Sequence, residues 1–243
     1  MVRGALAAAH VCETFAPRVD VPLWTCASER KFAVNHWPAI SAQLRTAQRV
    51  LSERQAKRVL TVGGDCSVDV AVINYLNRTY PNLNVIWIDA HLDANTPETS
   101  PSGNFHGMPV AVLLGQGPSA LANELDAPLC ASRFRYVGAH IGDAGDWHFR
   151  RQHGLKNLGQ DPLSHGPLHI HFDLDVLHPS DFPYVAYPEG DVSLADALSL
   201  LRSLASSRDV VGLTITEFAP PDETAAAAGS TTIRQICNAV AGV

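Results

Sequence analysis

Asn84-Val-Ile-Trp-Ile-Asp89, continued by Ala90-His91-Leu92-Asp93, decides the fold. An apolar run of strand length ends abruptly in two acids and a histidine. A strand apolar on both faces belongs inside a sheet covered on both sides, and such sheets are mostly parallel. Outward from this stretch the pattern repeats. Arg58-Val-Leu-Thr-Val62 is a short buried strand that stops at Gly63-Gly64. Arg135-Tyr-Val-Gly138, His169-Ile-His-Phe-Asp-Leu-Asp175 and Asp209 through Glu217 read as further strands. Arg18-Val-Asp-Val-Pro-Leu23 is one more candidate.

Helical spacing fills the intervals. Ile40, Leu44, Ala47 and Leu51 mark a helix over 38–56. Ser67 reads as the N-cap of a helix carrying Val70, Val72, Ile73 and Leu76. Helices are expected near 107–115, at 143–153, at 193–206 behind Ser193 as cap, and at 223–241. An amphipathic helix over 2–14 opens the chain, since His10, Glu13 and Arg18 interrupt its apolar run. Strands alternating with helices predict an α/β fold with a parallel sheet and helices on both faces. Right-handed crossovers fix much of its winding. In such folds ligands sit beyond the carboxyl ends of the strands. The polar clusters at 63–67, 89–93, 173–175 and 217 fall there.

Composition narrows the class. The 243 residues suit one domain spanning 1–243. A hydrophobic fraction of 46% is ordinary for a globular core. No apolar run reaches the roughly 18 residues that a membrane helix needs. The net charge of −6, with no basic block, argues against nucleic acid as a partner. Cys12, Cys26, Cys66, Cys130 and Cys237 are scattered and odd in number. That predicts a cytoplasmic setting without a disulfide framework.

The chemistry sits at two strand ends. Asp89, His91 and Asp93 follow an i, i+2 spacing that puts alternate side chains of a strand on one side. Asp173 and Asp175 repeat it. A lone Asp-x-Asp is commonly a turn or a solvated face. Buried carboxylates, by contrast, are paired or bound to metal. Four carboxylates and a histidine exceed what one ion needs. Two ions about 3.5–4 Å apart would use them all and would make a water between them hydroxide near neutral pH. That hydroxide is the expected nucleophile.

Gly63-Gly-Asp-Cys-Ser67, Asp89-Ala-His-Leu-Asp93, Ser102-Gly-Asn-Phe-His-Gly-Met-Pro109, His171-Phe-Asp-Leu-Asp175 and Glu217-Phe-Ala-Pro220 follow one another in order. Together they resemble the GGDHS, DAHxD, SGNxHGxP, SxDxDxxDP and EVNP motifs of the arginase, agmatinase and formimidoylglutamase (ureohydrolase) family. The resemblance runs over roughly residues 58–240. It implies a three-layer fold on a parallel sheet of about eight strands, with a binuclear manganese site. Asp89 and Asp173 would bridge the ions. Cys66 and Asp93 would complete one shell, His91 and Asp175 the other. Glu217 would hold a guanidinium, and His106 would shuttle protons to the leaving amine. His106, Glu217 and Asp93 are thereby the candidate catalytic residues. Asn95 and Ser102 match positions that hold an α-carboxylate in arginases. Asp143 and Asp146 match positions that hold the α-amino group, and both also fit a helix N-terminus.

Departures from the family pattern qualify this. Cys66 stands where the family has a histidine. As a thiolate ligand it would shift preference from Mn²⁺ toward Zn²⁺, Fe²⁺ or Co²⁺. As a small buried cysteine it would leave one ion weakly held. His106 has a second reading as a packed loop histidine. The loop 176–190 carries Tyr184 and Tyr187, which either reshape the guanidinium side of the pocket or pack outside it. At the start the family's first strand is missing, or the true beginning lies upstream of Met1. The tail that helps arginases trimerise does not follow the last helix, so monomer and homo-oligomer both stand. The expected activity is cleavage of the guanidino group of a linear arginine-like amino acid. The alternatives are a modified guanidine such as N-hydroxyarginine, a formimino compound, and an inactive binding protein of the same fold.

Overall fold

The strand β2 (Asn84–Ile88) is buried along its whole length, and its side chains alternate between two cores. Val85 and Trp87 face α2 (Trp37–Arg54), α3 (Asp69–Thr79), the one-turn α4 (Pro109–Ala111) and α5 (Ala144–Gln152). Ile86 and Ile88 face α1 (Val2–Cys12), α6 (Leu194–Ser207) and α7 (Glu223–Ala241). The period-two alternation of a strand thus builds three layers from one element. The computed structural model describes residues 1–24, 28–121, 125 and 127–241; Cys26 lies outside the described residues.

Six strands form the sheet, all parallel, in the order β1-β6-β5-β2-β3-β4. The remaining strands are β1 (Val59–Val62), β3 (Phe134–Val137), β4 (Lys156–Asn157), β5 (Leu168–Asp173) and β6 (Val210–Thr216). The expectation of about eight is corrected to six among the described residues. Arg18–Leu23 joins no ladder, because its apolar residues face water: Val19 is 40% exposed and Leu23 75%. The two-residue edge strand β4 is too short to leave a pattern in sequence.

Two local expectations also change. Asp65, not Ser67, caps the turn before α3: its carboxylate accepts from the Ser67 amide at 3.0 Å. The helix expected near 107–115 is a single α turn followed by a π turn over 112–116, with Gly115 inside it at φ +83°. Ser193 caps α6 as expected, accepting from the Asp196 amide.

β5 and β6 depart from a purely apolar interior. Ile170, Phe172, Leu213 and Ile215 fill the core under α1, α6 and α7. The alternate positions His169, His171, Asp173, Thr214 and Thr216 are equally buried but polar. They lead along the α3 side to the carboxyl ends of the strands, where the candidate site lies.

Candidate metal centre

Strand β2 stops at Ile88, so the loop that follows sets where its side chains point. The Asp89 amide donates to Val137 O and the Leu92 amide to Ile141 O. The buried Tyr136 hydroxyl donates to Leu92 O at 2.7 Å. Asp93 then takes a left-handed conformation, φ +48°. Residues 89, 91 and 93 therefore do not follow strand spacing, although both acids and the imidazole remain at the site. Glu217, just after β6, is also left-handed at φ +64°, with its amide donating to Gly64 O. Non-glycine residues in this region are uncommon and cluster at functional sites.

Two sets of side chains bring ligand atoms within 4.8 Å of one another: Cys66, Asp89, His171 and Asp173, and Asp89, His91 and Asp175. Asp89 belongs to both. The Cys66 thiol donates to Asp173 Oδ2 at 2.8 Å and lies 3.9 Å from Asp89 Oδ2. Asp89 Oδ2 also accepts from Trp87 Nε1 at 2.9 Å. His91 Nδ1 lies 3.0 Å from Asp175 Oδ2, and its Nε2 faces Glu189 at 3.3 Å. Asp173 Oδ1 accepts from the Asp175 amide, which caps the 3₁₀ turn and fixes the second acid of the pair. Asp93 falls outside both sets, yet its Oδ2 is buried without a partner.

These groups open into one cavity of about 330 Å³. Cys66, His91, Asp93, Asp173, Asp175 and Glu217 line one part of it; Asn95, Ser102, His106, Asp143 and Asp146 line the rest. Asp89 is fully buried behind it. Asn95 donates to Asp143 Oδ2 at 3.2 Å and accepts from Thr99. Ser102 accepts from the Asn104 amide. Asp143 caps α5, and Asp146 closes the capping box while also accepting from the Ala94 amide. Both Asp146 oxygens are thus committed to backbone. Tyr187 stands over the cavity, edge-on to His91 at 5.8 Å and to His106 at 6.1 Å. Tyr184 packs on Phe182 instead. Sequence reasoning missed His171, Trp87 and Glu189.

The donor set fits divalent cations. Among the described residues, the ion pairs that reach Asp89 and Asp175 come from His91 alone. Burial and the negative charge of Asp89 push the Asp93 carboxyl well above its usual range. Burial and Asp175 do the same to Asp173. Asp175 is raised to about 6 by burial and Asp89, and Glu217 to about 9 by burial and Asp65. Burial opposes the charge on His91, but Asp175 and Asp89 override it and raise the imidazole to about 12. Burial and Asp173 raise the Cys66 thiol. The unpartnered oxygens of Asp93 and Glu217 add to this cost. Cations would convert it into ligation.

A pH dependence follows. Raised carboxyl values mean that the folded, metal-free protein holds protons that the unfolded chain releases. The Asp175 and Glu217 contributions are lost as pH rises from the ordinary carboxylate range through about 6 and about 9. His91 acts in the same direction up to about 12. The unfolding free energy of metal-free protein is expected to fall from pH 5 to pH 9, by about 1.4 kcal/mol per pH unit for each proton released on unfolding, and its thermal midpoint to fall with it. Saturating metal should protect more strongly as pH rises. Calorimetry with and without chelator checks both slopes.

Gly190 ties the 176–190 loop to this turn. A Cβ there would lie 2.2 Å from Asp175 O and 2.3 Å from Val176 O. Gly190→Ala is expected to cost about 1–3 kcal/mol in urea unfolding and to weaken metal binding through Asp175.

Comparison with known proteins agrees with this geometry. A family model described as the arginase family matches residues 8–241. The arginase of Bacillus subtilis is 34% identical over 197 residues, covering 72% of this chain and 67% of its own. The arginase of Coccidioides posadasii is 30% identical over 235 residues, covering 83% and 71%. A crystal structure of Bacillus subtilis arginase superposes with a TM-score of 0.85 at 27% identity, covering 99% of this chain and 94% of that one. The chain belongs to the arginase family and is a metal-dependent ureohydrolase, acting on C–N bonds of amidines.

Proposed function

We propose that the protein is a binuclear amidinohydrolase that cleaves the guanidino group of a linear, arginine-like amino acid. The observation that carries this is the sharing of Asp89 between two ligand sets in a cavity that also holds Glu217, whose buried Oε2 has no partner. Cys66, Asp89, Asp93 and Asp173 would hold one ion, and Asp89, His91, Asp173 and Asp175 the other. When bound, the ions would supply the charge that makes a water nucleophilic near neutral pH.

The remaining steps belong to the chain's own groups. Glu217 would receive the planar cation in charge-assisted hydrogen bonds, which hold the guanidinium carbon in position for attack. The substrate's charge would restore ionisation to a carboxyl that burial otherwise keeps protonated. His106, half-buried at the cavity wall, would pass a proton to the departing amine. Asn95 and Ser102 would bind the α-carboxylate, and Asp143 the α-amino group. Asp146 would act through Asp143 and the Ala94 amide.

A second reading, a modified guanidine such as N-hydroxyarginine, is favoured by one feature. Tyr187 adds a hydroxyl-bearing ring to the cavity wall beside His91 and His106. Release of amine from L-arginine, N-hydroxy-L-arginine and agmatine by metal-loaded protein decides between them. Turnover of either amino acid but not agmatine supports the reading. Agmatine as the best substrate would remove the amino-acid assignment, and turnover of none would contradict the activity.

A further inference from the structure

His171 is fully buried on β5, two residues before Asp173 and on the same side of the strand. Its neighbours hold it in one orientation. The ring stacks on Trp87 with centroids 3.5 Å apart and planes 6° from parallel. Its Nδ1 lies 2.8 Å from Asp69 Oδ2. Asp69 is itself fully buried, with His169 Nε2 at 2.8 Å and the Thr214 hydroxyl at 2.7 Å. As the common acceptor, the Asp69 carboxylate makes His171 Nδ1 a donor and leaves Nε2 with its lone pair free. That nitrogen has one long contact, 3.5 Å to the Thr216 hydroxyl, which also reaches Asp173 Oδ2 at 3.4 Å. A carboxylate behind one ring nitrogen and a metal before the other is the arrangement by which proteins orient histidine ligands.

We propose that His171 supplies the imidazole ligand to the ion held by Cys66, Asp89 and Asp173. This rests on the metal-centre reading above. The loop between β1 and α3 offers a thiol at position 66, and the adjacent strand offers a nitrogen. A sulfur and a nitrogen, added to the carboxylates of Asp89, Asp93 and Asp173, shift the preference toward Zn²⁺ or Co²⁺ and away from Mn²⁺. Asp69 is then a positioning residue, locking the tautomer of a ligand it supports from behind. The alternative is a buried histidine that completes the Asp69 network and touches no metal.

The test uses the full chain loaded with Co²⁺. In the wild-type protein, two ions per chain are expected, with a sulfur-to-cobalt charge-transfer band. Two sets of paramagnetically shifted imidazole N–H signals are expected, from His91 and His171. His171→Asn keeps a donor for Asp69 but removes Nε2. It should lose one of the two ions, the charge-transfer band and one imidazole signal. Asp69→Asn should weaken that ion about 10- to 100-fold. His169→Gln, which keeps a donor to Asp69 from the outer side, should leave the spectrum unchanged. A wild-type spectrum with a single shifted imidazole, which needs no variant to fold, overturns the proposal. So does His171→Asn with an unaltered spectrum. Two-imidazole ligation without hydrolysis of any guanidine would leave the proposal standing and sink the activity.

Discussion

Asp89→Asn is expected to remove both ions at once and to lower kcat/KM by at least about 1,000-fold, or about 4 kcal/mol of transition-state stabilisation. The carboxylate is fully buried and belongs to both ligand sets. Its Oδ2 accepts from Trp87 and its Oδ1 from the His91 amide, so it also aims its neighbours. Asparagine keeps the shape but removes the charge shared by the two sets. Asp175→Asn provides the contrast, because Asp175 belongs only to the set containing His91. It should cost one ion and leave the other. Elemental analysis of dialysed protein reads the difference directly. Loss of a single ion from Asp89→Asn would show that Asp89 is not shared.

Glu217→Gln is expected to leave both ions bound and to lower kcat/KM about 100- to 1,000-fold, the range seen when one preorganised electrostatic partner is removed. The effect comes from binding and aligning the cation. Glutamine cannot answer a guanidinium with charge, and one of its two positions becomes a donor facing donors. The substitution also removes a carboxyl that burial and Asp65 hold protonated up to about pH 9. The thermal midpoint of the metal-free variant should therefore not fall, and its pH slope should flatten. A midpoint several degrees lower, with metal lost, would instead make Glu217 a structural group.

The sheet was legible because its strands are apolar runs of strand length with polar ends. Val85 through Ile88 shows where both faces are covered, while Ile170 and Phe172 fill a single core. The carboxylates were legible because acids at such ends are costly without a partner. Local chain direction was not. Asp93 lies beyond the last strand residue in a left-handed turn, held by Tyr136 and Ile141, which are distant in sequence. Asp65 took the cap that Ser67 was expected to provide, because its carboxylate reaches the Ser67 amide.

The histidine at 171 had a signal that went unused. His169-Ile-His171-Phe-Asp173 alternates polar and apolar, which places His171 on the side of Asp173. Its partner Asp69 had no signal at all, since a helix on another layer brings it there. The tyrosine loop left two readings, and only packing separates them: Tyr184 turns toward Phe182 while Tyr187 reaches the cavity.

The most direct test is a metal titration of stripped protein with bound ions and hydrolysis followed together. Samples reconstituted with Mn²⁺, Zn²⁺ or Co²⁺ would be assayed for amine release from L-arginine and N-hydroxy-L-arginine. The account predicts two ions per chain, with hydrolysis rising as the second equivalent binds. Saturation at one ion with full activity, or two bound ions without release of any amine, would contradict it.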